Sequence, residues 1–510
     1  MLYRLFSALF LICLSQLIFA QDMAATLKMA LPNLLQKEAV SGIYATYAHQ
    51  PLWITDGQLT PKGSEVWEVL QHADKYGLSP SKYQIARIRL ALSQQKNNLA
   101  DIYLTDGFAH LCRHLNSGVI DPSKTWSDVK SYNKNKDLET MIEEGFSYTS
   151  ISAFLDFIQP QYISYNELLK TLQQYLLIAK EGGWKPLPAN IAQLPKQQTA
   201  ELLAARLEKS NDWYPNMLIT DPESMLNDAV SQYQRTHQLP ISQLLDAATI
   251  ASINKPVEHY IEKIRINLER YRWLPTQPST YEYIMVNIPA YRAALFDGKD
   301  RLIQSNVIVG APKSPTKLIV SKASRIVINP TWTVPYKIAI NEILPQLNQN
   351  PKYLEAHDMD LFDANGNLVS LTNAQIKALT RETFRYDIRQ RASDENSLGH
   401  FVLYFPNSHF IYMHDTNNPG LFERPKRALS HGCVRTQEIE NICYHLIEKY
   451  SDTPLDSAKS AYENRQTTYI PMREHIPVYL QYFTVWTEDN TVYFLNDLYG
   501  LDEKLKQLIR

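Results

Sequence analysis

The sequence predicts a multidomain α+β protein: a mostly helical N-terminal region, a small helical unit, and a β-rich domain that carries a helical insertion. Three observations lead there. The chain has 510 residues, more than one core usually holds. Apolar residues recur at helical spacing in the N-terminal region, as in Val66, Val69, Leu70 and Ala73. From Tyr281 the pattern changes to β-rich runs.

Residues 1–20 read as a secretory signal peptide. Arg4 supplies the positive end, Leu5 to Ala20 is apolar apart from Ser7, Ser15 and Gln16, and Ala20 offers a cleavage edge. An uncleaved inner-membrane anchor is the alternative, because Ile18 is a poor match to a cleavage site. Either reading implies export to the periplasm. Three cysteines then remain, Cys112, Cys433 and Cys443, an odd number that does not make a disulfide scaffold. A net charge of -2 gives no global field for nucleic acid.

Residues 21–200 form the predicted helical region, punctuated by Gly77-Leu78-Ser79-Pro80, Asp121-Pro122 and Pro186-Leu187-Pro188. His110 and His114 share a helical face, but Cys112 between them cannot join it, so no metal site is expected. A separate helical unit spans 205–256, and a helical connector covers 257–280. The β-rich domain runs from 281 to 500, with strands expected at Tyr281–Ile288, Leu302–Val309, Arg325–Ile328, His400–Phe405, Ser408–His414, Pro477–Trp486 and Thr491–Leu495. Between 336 and 395 lies the insertion, which keeps Ile338, Ile343, Leu344 and Leu361 and so reads as a structured lid.

The chemistry concentrates at Ser430-His431-Gly432-Cys433-Val434-Arg435, preceded by His414 at a strand end. Cysteine is intrinsically nucleophilic near neutral pH, and a free thiol in an oxidising compartment asks for a purpose. The stripe Ile439, Ile442, Cys443, Leu446 and Ile447 predicts a helix, with Thr436 as its N-cap. Cys433 would then lie just before a helix N-terminus, where the thiolate is favoured. Gly432 permits a tight turn, and the amides of Gly432 and Cys433 are candidates for an oxyanion site. His414 is the general base; its neighbour Asp415 should face away, leaving a backbone carbonyl to hold the imidazole tautomer. Cys443 falls on the apolar stripe and reads as core, as does Cys112.

This block resembles the catalytic signature of L,D-transpeptidases of the YkuD type. Arg435 after the hydrophobic residue is similar to the large periplasmic subgroup with a scaffold domain. Pro51-Leu52-Trp53, Gly182-Gly183-Trp184, Asn329-Pro330-Thr331-Trp332-Thr333-Val334-Pro335, Asn396-Ser397-Leu398-Gly399, Phe405-Pro406-Asn407, Tyr412, Arg427 and Ile476-Pro477-Val478-Tyr479 resemble it too. Residues from Ala229 to His237, with Leu239-Pro240 and Ala248-Thr249-Ile250, partly resemble a peptidoglycan-binding domain, without its usual glycines. One departure lies at Thr316-Lys317, where the family has Thr-Pro.

The resemblance implies that Cys433 attacks a peptidoglycan stem tetrapeptide, expels the terminal D-Ala, and passes the acyl group to a diaminoacyl amine on a second stem as a 3-3 cross-link. Ser430, His431, Arg435, Tyr412, Arg427 and Trp332 would contact substrate, with Arg389 a further carboxylate anchor. No cofactor or metal is implied. A monomer is expected, with penicillin-binding proteins as candidate partners and carbapenems as expected inhibitors. Hydrolysis of the same acyl-enzyme would make an L,D-carboxypeptidase, and lipoprotein attachment or release is a further relative's chemistry. A papain-like protease would place its Cys before its His. A non-catalytic wall-binding protein would need no thiol.

Overall fold

The computed structural model describes residues 20–124, 137–188, 190–213, 221–276 and 282–509. Most of the expected signal peptide lies outside them. Among the described residues no helix is long and apolar enough to cross a membrane. The chain divides into two compact units, Met1–Pro278 with Thr484–Arg510, and Ser279–Phe483.

The first unit is mainly helical. Its long helix α1 (Asn97–Ser117) carries Asp101, a buried carboxylate that accepts the amides of Leu52, Trp53 and Ile54 at 2.8 to 3.0 Å and the Tyr44 hydroxyl at 2.5 Å. Pro51-Leu52-Trp53 is thus a strap hung on one side chain, with Trp53 fully buried beside Phe108. His110 and His114 of α1 lie ring to ring at 4.0 Å and are engaged by Gln36 and the Tyr83 hydroxyl.

After α2 (Ile163–Lys180), Gly182 and Gly183 at φ +93° and +74° turn the chain, a conformation that favours glycine. Trp184 then donates to the Lys255 carbonyl and stacks under Arg206. Helix α3 (Lys196–Ser210) crosses the expected boundary at 200–205. Leu203 and Leu207 of α3 share one apolar cluster with Leu187, Ile191, Val230 and Tyr233, so this helical unit begins near 187. In α4 (Pro222–Thr236), Gln234 is consumed by Ser242, the Leu244 carbonyl and Thr249, and His237 is buried against Tyr233. The residues that resemble a wall-binding module therefore hold its own turn. Helix α5 (Val257–Tyr271) follows.

The second unit is a closed β structure. Strands β1 (Glu282–Asn287), β2 (Arg292–Asp297), β3 (Asp300–Gly310), β4 (Ile319–Ile328) and β5 (Trp332–Thr333) precede the insertion, which carries β6 (Met359–Phe362), β7 (Leu368–Val369) and β8 (Asp387–Gln390). Strands β9 (Phe401–Tyr404), β10 (Met413–His414), β11 (Ala428–Ser430), β12 (Val434–Thr436), helix α6 (Ile439–Tyr450) and β13 (Thr468–Gln481) follow. The main sheet runs β11-β3-β12-β10-β9-β4-β13-β1-β2, and β2 pairs back onto β3 to close it.

The insertion was expected to be helical and is mixed instead. Short helices pack with a four-stranded sheet, β5-β8-β6-β7. Ile343, Leu344 and Leu361 join Phe384 and Ile388 in its own core, with Ile338 packed against it. Short alternating runs such as Met359–Phe362 carry too little periodicity to be read without their partners. The strand-rich segment after Phe483, expected within the β domain to residue 500, belongs by its contacts to the first unit. There Thr484 hydrogen-bonds both Asn267 and Asp502, and Asp502 pairs with the buried Arg270 at 2.6 Å.

Candidate active site

Strands β10 and β12 lie parallel, with Met413 opposite Val434 and His414 opposite Arg435. The Val434 amide donates to the Tyr412 carbonyl at 3.1 Å, which extends that register back to Tyr412 and Cys433. Side chains alternate along strands, so Tyr412, His414, Cys433 and Arg435 share one face while Met413 and Val434 fill the core. Those four residues line one cleft of about 970 Å³. Trp332, Ser430, His431 and Gly432 also line it. The cleft thus brings together Cys433, His414 and these neighbours, all of them singled out in the sequence.

Three expectations change. Strand β12 directly follows Cys433, and α6 starts only at Ile439 with Glu438, not Thr436, as its N-cap residue. The β-branched Val434 and Thr436 pair with β10 on one side and β3 on the other, so sheet pairing overrides the helical pattern. No helix terminus sits at the sulfur, and burial pushes the Cys433 thiol up to about 11, against the hydrogen bonds from Tyr412 and the charge of Arg435. Near neutral pH Cys433 is therefore a thiol.

The Gly432 amide is also committed. It donates to Ser430 Oγ at 3.1 Å, while that hydroxyl donates to the Cys433 carbonyl at 2.6 Å. Gly432 itself has φ +124°, which a side chain would strain. The Cys433 amide remains the group available to an oxyanion. Ser430, buried to 3% exposure, shapes the turn from beneath.

The third change concerns the arginines. Arg427 gives its guanidinium to the carbonyls of Val307, Phe422, Arg424 and Tyr291, and it lies outside the cleft lining. It fastens the loop before β11. Arg389 lies 4.3 Å over the Phe362 ring in the insertion and is likewise outside the cleft lining. Arg435 stays in the cleft, with its buried Nε unpartnered among the described residues.

His414 is buried and neutral. Desolvation, reinforced by the positive charge of Arg435, holds its pKa down to about 3 against the opposing pull of the backbone at Asp415 and Leu398. Its Nδ1 has no partner among the described residues. Asp415 faces away and accepts the His400 amide at 3.0 Å. Tyr412 hydrogen-bonds the Cys433 sulfur and Trp332, and its own ionisation is pushed far up by burial. With both groups neutral and on one face, the arrangement suits a proton transfer that accompanies attack rather than precedes it.

The expected strand 408–414 is only two residues long. Asn407 accepts the amides of His409 and Ile411 and donates to the carbonyls of Phe405 and Ile411, folding 405–412 into a loop. That loop presents Phe410, 84% exposed, on the cleft with its carbonyl 3.8 Å from the Cys433 sulfur. Lys313, Lys317, Lys337 and Glu342 also line the cleft and escaped the sequence reading. Only the fold brings them there. His431 Nε2 meets Glu342 at 2.6 Å, so it contacts the insertion rather than standing free.

A parallel-strand Cys–His face beside a folded insertion is an arrangement that suits cysteine acyl transfer. Residues 281–446 match the YkuD L,D-transpeptidase catalytic domain, and residues 38–172 match the scaffold domain. The chain therefore carries an L,D-transpeptidase catalytic domain of the YkuD family together with a scaffold domain. A Haemophilus influenzae protein provisionally named an L,D-transpeptidase is 33% identical over 244 residues, covering 48% of this chain and 49% of the relative. The aligned part thus spans about half the length of that curated relative.

Proposed function

We propose that the protein is an exported transpeptidase that forms 3-3 cross-links between peptidoglycan stem peptides. The observation that carries this reading is the shared face of Cys433, His414, Tyr412 and Arg435 inside one cleft. Cys433 Sγ attacks the carbonyl of the third stem residue while His414 takes the thiol proton. The Cys433 amide stabilises the tetrahedral oxyanion, and His414 returns the proton to the departing D-Ala amine. A diaminoacyl amine on a second stem then attacks the thioester and regenerates the thiol. Trp332 and the insertion shield the thioester from water.

The charged and apolar pattern of residues 1–20 supports a periplasmic location, and β-lactams of the carbapenem type would acylate the same sulfur. Penicillin-binding proteins remain candidate partners.

The test is muropeptide analysis by mass spectrometry after incubating the mature chain with tetrapeptide stems. Dimers short of one D-Ala, absent with Cys433→Ala, support the reading. Tripeptide monomers alone would make it an L,D-carboxypeptidase, and an unchanged profile would return a wall-binding role.

A further inference from the structure

The cleft is unbalanced in charge. Lys313, Lys317, Lys337 and Arg435 line it against one carboxylate, Glu342, which is already taken by His431 at 2.6 Å. The three lysines are exposed, and none pairs with a carboxylate among the described residues. They come from two elements. Lys337 belongs to the insertion, at the first short helix Tyr336–Ile338. Lys313 and Lys317 belong to the loop after β3.

That loop is anchored to the nucleophile turn. Thr316, 3% exposed, accepts the Gly310 amide at 2.8 Å and donates to the Gly432 carbonyl at 2.7 Å. Ser314 adds a bond to the Ser430 carbonyl at 3.1 Å. The backbone that bears Lys313 and Lys317 is therefore pinned to the residues flanking Cys433. A concave surface of one sign concentrates ligands of the other and accelerates their arrival.

We propose that Lys313, Lys317 and Lys337 form a carboxylate-reading rim, which makes the enzyme select stem peptides with free carboxyl groups over stems whose carboxyls are amidated. This rests on the transpeptidase reading and adds a specificity to it. Because the lysines are exposed, their effect is electrostatic capture: it raises affinity and on-rate, it is screened by salt, and it leaves the chemical step alone.

The experiment compares turnover of one tetrapeptide stem in acidic and amidated forms by the full chain, at low salt and at about 0.5 M salt, where the screening length falls to roughly 4 Å. The wild type should show a KM at least about tenfold lower for the acidic form, with kcat similar. The triple variant Lys313→Gln, Lys317→Gln, Lys337→Gln should lose most of that preference, as should the wild type in high salt. Equal iodoacetamide reactivity of Cys433 in both proteins checks that the site is folded. Equal KM for both peptides, or a preference that survives in the variant, overturns the proposal alone; turnover of neither peptide overturns it together with the transpeptidase reading.

Discussion

His431, two residues before Cys433, is bonded through Nε2 to Oε1 of Glu342 in the insertion at 2.6 Å. The contact ties the covering element to the loop it covers. Both side chains are about half exposed, so the pair contributes about 1 kcal/mol or less. Glu342→Gln should raise KM only a few-fold, and hydrogen exchange should rise in the Ala339–Ile343 turn. Unchanged exchange there would show that the contact holds nothing.

The protonation states set a pH signature. With the thiol at about 11 and His414 at about 3, both groups are neutral at pH 7. Alkylation of Cys433 by iodoacetamide should rise close to tenfold per pH unit from about 7 to 10, because only the thiolate reacts. A plateau reached by pH 8 would mean an ion-paired thiolate. His414→Gln should cut kcat by roughly 10²- to 10⁴-fold.

His414 also bears on acid stability. Its folded pKa is depressed, so the unfolded chain takes up a proton that the folded site refuses. Stability from this group is fully present above the ordinary histidine pKa of about 6.5 and is lost as pH falls towards about 3. His414→Gln should flatten the stability-against-pH curve of the catalytic unit in that window, as measured by denaturant unfolding. An unaltered slope would place the imidazole in solvent.

Ser430→Ala should remove both bonds of the turn, leaving the Gly432 amide and the Cys433 carbonyl without them. The expected loss is about 1–3 kcal/mol of stability and ten- to a hundredfold in kcat/KM, because Cys433 rides on that turn. Wild-type rates in the variant would show that the turn holds without the hydroxyl.

In the helical unit, Asp101→Ala should strand the amides of Leu52, Trp53 and Ile54 inside the protein. A loss of about 3 kcal/mol or more is expected, seen as a lower melting temperature of that unit. A melting point unchanged within a degree would show that the strap is held by Trp53 packing alone.

Cys433 stood out because Ser430-His431-Gly432-Cys433-Val434-Arg435 is one local run, whereas the strand expected to carry His414 shrinks to Met413–His414. The helical scaffold was legible for the same local reason. What the sequence hid depends on partners far along the chain. Val434 and Thr436 extend as a strand because β3 and β10 flank them, and Asn407 converts an alternating run into a loop. Arg427 resembles a substrate anchor until four carbonyls are found around it. Lys317 and Lys337 reach one cleft only through folding, twenty residues apart and on different elements.

Intact-protein mass spectrometry of the chain mixed with a tetrapeptide stem and no acceptor amine shows whether Cys433 carries the acyl group. The expected adduct equals the stem less one D-Ala and maps by proteolysis to the peptide containing Cys433. An adduct on another residue, or release of D-Ala by Cys433→Ala at the wild-type rate, would contradict it.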